Sequence, residues 1–198
     1  MFSPFRPSQS SILQSLETAR DLPGSYGFAL NTQGGPDNLY VPRGFKRDHT
    51  RSEIGRGLAA FEAAKAAMLR WDLFDLDWVR VVNPDTAIEP ETMVAVEAHT
   101  LGLWSVNISR ILYVIDEPDR FGFGYGTTAM HVERGEERFL VEFYPVSGVV
   151  EYDLLAVSQP AHWLAWLAYP YTRFQQRKFA RDSHRRMREL LAGADSDA

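Results

Sequence analysis

Six strand-like segments follow one another between residues 78 and 158: "WVRVV", "TMVAVEAHT", "LWSVNISRILYVIDE", "FGFGYGTT", "ERFLVEFY" and "VVEYDLLAVS". β-Branched and aromatic residues dominate each one, and Pro, Gly, Asp or Glu mark the breaks between them. Links this short join antiparallel neighbours, because a parallel pair needs a crossover of a dozen or more residues. The run therefore predicts an antiparallel meander. Such a sheet must bury its apolar face, and only helices flank it in this chain. Before it, "GRGLAAFEAAKAAMLRW" is rich in strong helix formers and sets Leu58, Phe61, Ala64 and Met68 on one stripe. After it, "PAHWLAWLAYPYTRFQQRKFARDSHRRMRELLA" predicts a long helix with Pro160 in its first turn and a bend at Pro170. The expected fold class is α+β, a curved antiparallel β-sheet wrapped around the long C-terminal helix.

The 198 residues suit a single domain over 1–198, with an N-terminal helix and loop layer at 1–44 and a core at 45–192. In that layer "SILQSLETA" predicts a short helix, with Ser11 and Gln14 at capping-box spacing and Ile12, Leu13 and Leu16 on its apolar side. The turn-rich stretch after it offers at most a short strand at 26–30.

Hydrophobic residues at 45% and charged residues at 24% match a globular protein, and a net charge of −5 argues against nucleic acid as a partner of the whole surface. Cysteine is absent, which excludes disulfides, thiolate metal sites and thiol nucleophiles. The histidines, His49, His99, His131, His162 and His184, show no metal-ligand spacing, so neither a metal nor a cofactor is expected. The start "MFSPFRPSQSS" lacks a signal-like apolar stretch, and the default expectation is a cytoplasmic protein.

Within "RFGFGYGT", alternation puts Phe121, Phe123 and Tyr125 on one face of a strand and Gly122, Gly124 and Gly126 on the other. Glycines inside a strand permit strong curvature or close approach of another backbone. The aromatics either pack on the terminal helix or wall a ligand cavity. The spacing and the strand-like sequence that follows exclude a dinucleotide-binding glycine loop. Strict alternation also aligns Arg110 with Val106, Ile108, Leu112 and Val114. On a buried face its guanidinium requires a carboxylate or an anionic ligand; otherwise it points outward at a bulge.

In "HVERGEERF", Arg134 and Gly135 read as a hairpin turn that brings His131 near the start of the next strand. Glu137 alternates with Phe139, Val141 and Phe143, which places its carboxylate at a cavity rim with Glu136 and Arg138 pointing away. The cluster reads either as a salt-bridged turn or as an acid–base pair of His131 and Glu137. Near the C-terminus, seven Arg and Lys side chains between positions 171 and 191 face only Asp182 and Glu189. They complement the helix dipole and acidic strands, or make weak contact with an anionic membrane surface with the help of "WLAWLAYPY".

The segments "IGRGLAAFEAAKAAMLRW", "RILYVIDEPDRFGFGYGTTAMHVERGEERFLVE" and "AVSQPAHWLAWLAYPYTRFQQRKFARDS" resemble the signatures of an uncharacterised family, the domain of unknown function nineteen-ninety. The resemblance runs over nearly the whole chain. It departs at "TTAMHVE", where the family more often has Leu-Pro-Gly before the histidine. Family positions carried over are Gly55, Arg56, Gly57, Gly124, Tyr125, Gly126, Thr127, His131, Arg134, Gly135, Glu136 and Glu137. The resemblance implies a helix-grip, START-like fold, whose relatives enclose apolar ligands between a curved sheet and a terminal helix; it implies no reaction.

Together these readings predict a module that binds a small apolar or amphipathic molecule. The expected cavity is lined by Tyr113, Phe123, Tyr125 and Phe139, with Arg110, His131 and Glu137 at its polar end. The rivals are an enzyme of small-molecule metabolism using His131 and Glu137, and a peripheral lipid-surface or interaction protein using the basic helix. The sequence sets neither the ligand nor the oligomeric state.

Overall fold

The computed structural model describes residues 2–161 and 169–194. Strands β3 (Val79–Val81), β4 (Met93–Thr100), β5 (Leu103–Glu117), β6 (Arg120–Thr127), β7 (Glu133–Tyr144) and β8 (Val149–Pro160) pair in chain order, each antiparallel to the next. Strand β2 (Lys46–Arg56) then adds to the far side of β8, and the two-residue β1 (Phe2–Ser3) pairs with the start of β5. The result is a curled half-barrel gripping the C-terminal helix, the helix-grip arrangement of the α+β class.

Among the described residues, three α-helices cover the sheet. Helix α1 (Gln9–Arg20) starts at Ser8, whose hydroxyl accepts a bond from the Ser11 amide at 3.2 Å, so the cap lies three residues before the expected Ser11. It buries Ile12, Leu16 and Ala19, and Leu13 faces outward. Helix α2 (Gly57–Leu69) begins two residues later than expected, because Gly55 and Arg56 still pair with Val150 and Val149. Its buried stripe is Ala60, Phe61, Ala64, Ala67 and Met68, whereas Leu58 is 56% exposed. Small side chains on that stripe let the helix sit close to the sheet. Helix α3 (Tyr169–Ala194) runs through the half-barrel and sets Phe179, Ala180, Met187, Leu190 and Leu191 into the main core.

Two local expectations fail, and a third, the bend at Pro170, bears on residues outside those described. Pro160 ends β8, pairing with Glu133, and does not open a helix. Pro170 stands in the first turn of α3, where a missing N–H breaks no helical bond, and residues 162–168, on which the bend was expected to bear, lie outside the described residues. Residues 26–30 form no strand; Tyr26, Phe28 and Phe45 instead make an aromatic cluster in a loop that crosses the outer face of the sheet.

Candidate functional site

A bulge decides which β5 side chains can reach the interior. Register shifts between Ile111 and Tyr113, so the alternation expected across Arg110, Leu112 and Val114 is broken. Val106, Ile108 and Arg110 face α1, whereas Val114 joins the core beneath α3. Arg110 Nη2 donates to the Arg20 and Leu22 carbonyls at 2.7 and 3.0 Å, where the negative end of the α1 dipole lies, and Glu91 sits 3.5 Å away. Tyr113 also lies on the outer face. Its ring covers Gly124 where an added Cβ would overlap it, and the Tyr26 hydroxyl covers Gly126 in the same way. The glycines of β6 thus make room for two tyrosine side chains, and neither Arg110 nor Tyr113 belongs to the interior.

Glu136 and Arg138 do point away from the interior, as alternation required, but they meet protein and not solvent. Glu136 accepts from the Thr32 amide at 3.0 Å and the Tyr26 hydroxyl at 3.1 Å, and burial raises its pKa. Arg138 donates to Asp153 at 2.8 Å. This cluster is a buried polar clasp between the sheet and the loop over it, not a solvated turn.

On the inner face, register aligns Phe123, Phe139, Leu154 and Thr50 across β6, β7, β8 and β2. Phe123 and Phe139 are fully buried, their centroids 5.1 Å apart, and they pack with Trp71 and Phe74. They fill the closed end of the half-barrel and wall no open space. The next row toward the β4–β5 and β6–β7 hairpins is Tyr125, Glu137, Ala156 and Asp48. Here Ala156, and beyond it Gly135, replace bulky side chains, and a pocket of about 490 Å³ opens against α3. Its wall is mostly apolar, and Phe74, Trp78, Val96, Leu154, Phe179 and Ala180 are among the residues that form it.

Gly135 was expected to turn the chain. It lies instead within β7 opposite Ser158, with φ of 146°, and an added Cβ would overlap the Val157 carbonyl of β8. Close strand approach requires the glycine, and the hairpin itself falls at residues 128–132.

Polar atoms form the smaller share of the pocket surface. Tyr125 donates its hydroxyl to Glu137 Oε2 at 2.7 Å. Burial away from water raises the Glu137 pKa from 4.5 to about 7, against the opposing effect of that bond, and drives the Tyr125 hydroxyl further from ionisation. Glu133 also lines the pocket; Gln176 Nε2 donates to its two oxygens at 2.6 and 2.7 Å, and burial raises its pKa. His131 Nδ1 accepts the Glu133 amide at 2.9 Å, and burial pushes its pKa down to about 4, so the ring is neutral. His131 and Glu137 thus share a pocket but have separate partners.

Of the seven expected site residues, the pocket takes in Tyr125, His131 and Glu137. Phe123 and Phe139 are core, and Arg110 and Tyr113 lie on the other face. Trp78, Glu133, Gln176 and Phe179 were missed. For Glu133 the available signal was alternation, since it shares a β7 face with Glu137 once residues 134 and 135 are read as strand. Trp78 and Gln176 are placed by tertiary packing alone.

Several cations of α3 are paired within the chain. Arg173 pairs with Asp48, Lys178 lies 2.5 Å from Asp182, and Arg186 lies 2.6 Å from Asp75. Most of the aromatic stretch before them falls in 162–168, outside the described residues. Among the described residues no helix is long and apolar enough to cross a membrane, and no group of His, Cys, Asp and Glu could hold a metal ion.

The sequence model of the family called "Domain of unknown function (DUF1990)" matches residues 26–186. A UPF0548 protein of Dictyostelium discoideum is 35% identical, covering 94% of each chain. A UPF0548 protein of Deinococcus radiodurans is 38% identical over 66% of this chain and 71% of its own length. Among solved structures, protein NE0264 of Nitrosomonas europaea superposes with a TM-score of 0.51 at 10% identity, over 76% of this chain and 96% of that one. That likeness concerns the fold alone.

Proposed function

The chain belongs to the DUF1990 family, and on that premise we propose that it binds a small apolar or amphipathic molecule between the curled sheet and α3. One observation carries the reading: where Ala156 and Gly135 replace bulky inward residues, the row opens into an apolar-walled space that also holds the Tyr125–Glu137 pair. Largely apolar pockets with a few convergent polar groups are the usual form of small-molecule sites. The apolar body of a ligand would lie against Phe74, Leu154 and Phe179, with its polar end at Glu137.

Nile red, a neutral apolar dye, tests this directly. The expected result is saturable fluorescence enhancement with one site per chain, abolished in Ala156→Trp, which fills the pocket, while the melting temperature stays close to wild type. Absence of saturable binding, or equal binding by a folded Ala156→Trp, would overturn the proposal.

A second reading, acid–base chemistry on a bound molecule, draws on the Glu137 pKa near 7. It would rest on Glu137 with Tyr125, since His131 has a separate partner. Under this reading Glu137→Gln abolishes turnover yet keeps Nile red binding.

A further inference from the structure

Resting on the pocket reading above, we infer that the preferred occupant is a cationic amphiphile, an alkyl or aryl amine whose ammonium group sits at Glu137 and whose apolar body faces Phe74, Leu154 and Phe179. The pocket's charge balance leads there. Glu137 is held by a neutral phenol and Glu133 by a neutral amide, so the bonds to both carboxylates come from uncharged donors. Carboxylates withdrawn from water without a cation are costly, and the interior attraction for a positive charge is correspondingly strong.

The neighbouring groups do not supply that charge to Glu137, although the positive field of Arg173 reaches Glu133. From β2, Asp48 faces the pocket and is paired with Arg173, while His49 is turned to Asp153 at 2.7 Å. From the β6–β7 hairpin, His131 is neutral. From β8, the Tyr152 hydroxyl is engaged with Ser183 at 3.0 Å. From α3, Tyr171 and Arg177 line the rim, and Arg177 is exposed to solvent. Glu137 is left with the negative fields of Glu133 and Asp48.

The walls suit a cation as well. Trp78, Phe74, Tyr125 and Phe179 present aromatic rings to the space, and ring faces attract ammonium groups. The Trp78 ring already carries one ammonium, with Lys178 Nζ 4.2 Å from its centroid. An ammonium brings three donors, which matches the acceptor capacity left on Glu137. A fatty carboxylate would have to enter against Glu133, Glu137 and Asp48, where among the described residues the nearby cations are rim Arg177 and the engaged Arg173.

Titration calorimetry on the full chain with decylamine, decan-1-ol and decanoate, each below its micellar concentration, decides the matter. Decylamine is expected to bind at least about tenfold more tightly than decan-1-ol, with decanoate weakest. Glu137→Gln should remove the decylamine advantage and leave decan-1-ol within about threefold of wild type. Decylamine binding near neutral pH should also release a proton, seen as a dependence on buffer ionisation enthalpy, since the ammonium favours ionised Glu137.

If decan-1-ol or decanoate binds as tightly as decylamine and Ala156→Trp abolishes them all, the cation inference fails while the pocket reading stands. If decylamine binds equally to wild type, Ala156→Trp and Glu137→Gln, it is adsorbing to the surface and the inference fails. If none of the three binds and Nile red is silent, both readings fail.

Discussion

Glu137 is the residue through which fold and pocket meet, because the strand that places Phe139 in the core also carries its carboxylate inward. Its pKa, raised from 4.5 to about 7, has a defined effect on stability. The folded chain keeps a proton that the unfolded chain releases, so this group's contribution is most favourable below pH 4.5, falls as pH rises to about 7, and is flat above. The span is about 3 kcal/mol at most. His131 and His184 act in the opposite sense: with pKa values held at about 4, they cost stability as pH falls from 6.5 toward 4. The measurable quantity is therefore the difference between wild type and Glu137→Gln in urea titrations. Glu137→Gln should gain relative stability between pH 5 and 8. A difference that does not change with pH would show that the carboxylate is not desolvated.

At the scale of elements, the sequence was legible wherever one rule governed a segment. The six-strand meander, α1 and α2 follow from periodicity and from the turn residues between segments. Strand β2 was not legible, because "KRDHTRSEIGR" is an edge strand that buries only Ile54 and carries the charges edges commonly carry. The β5 bulge was not legible either, and it turns Tyr113 to the outer face that Arg110 already shares with Val106 and Ile108. Gly135 misled because a glycine that allows two strands to approach looks, in sequence, like one that turns a chain.

Arg110 provides the corresponding test. Arg110→Ala should cost about 1–3 kcal/mol by freeing the carbonyls at the end of α1. Faster hydrogen exchange at residues 20–24 would report it, and Nile red affinity should stay within about twofold. A large loss of dye affinity would instead put Arg110 in the binding site.

For the whole molecule, the half-barrel is packed unevenly along its axis. Trp71, Phe74, Phe123 and Phe139 close one end, whereas Ala156, Gly135 and Ala180 leave room at the other, beside the hairpins and the start of the described α3. The sheet's outer face is covered in large part by α1 and the loop carrying Tyr26 and Thr32, and the cleft left there, beside Leu16, Met93 and Arg110, is more polar than the inner pocket. The most direct test of this is a crystal of the protein grown with bromodecanol, a neutral ligand whose bromine is located by anomalous scattering. The account places the bromine inside the pocket, among Phe74, Leu154 and Phe179. A pocket filled by its own side chains, with bromine only at the surface or nowhere, would contradict it.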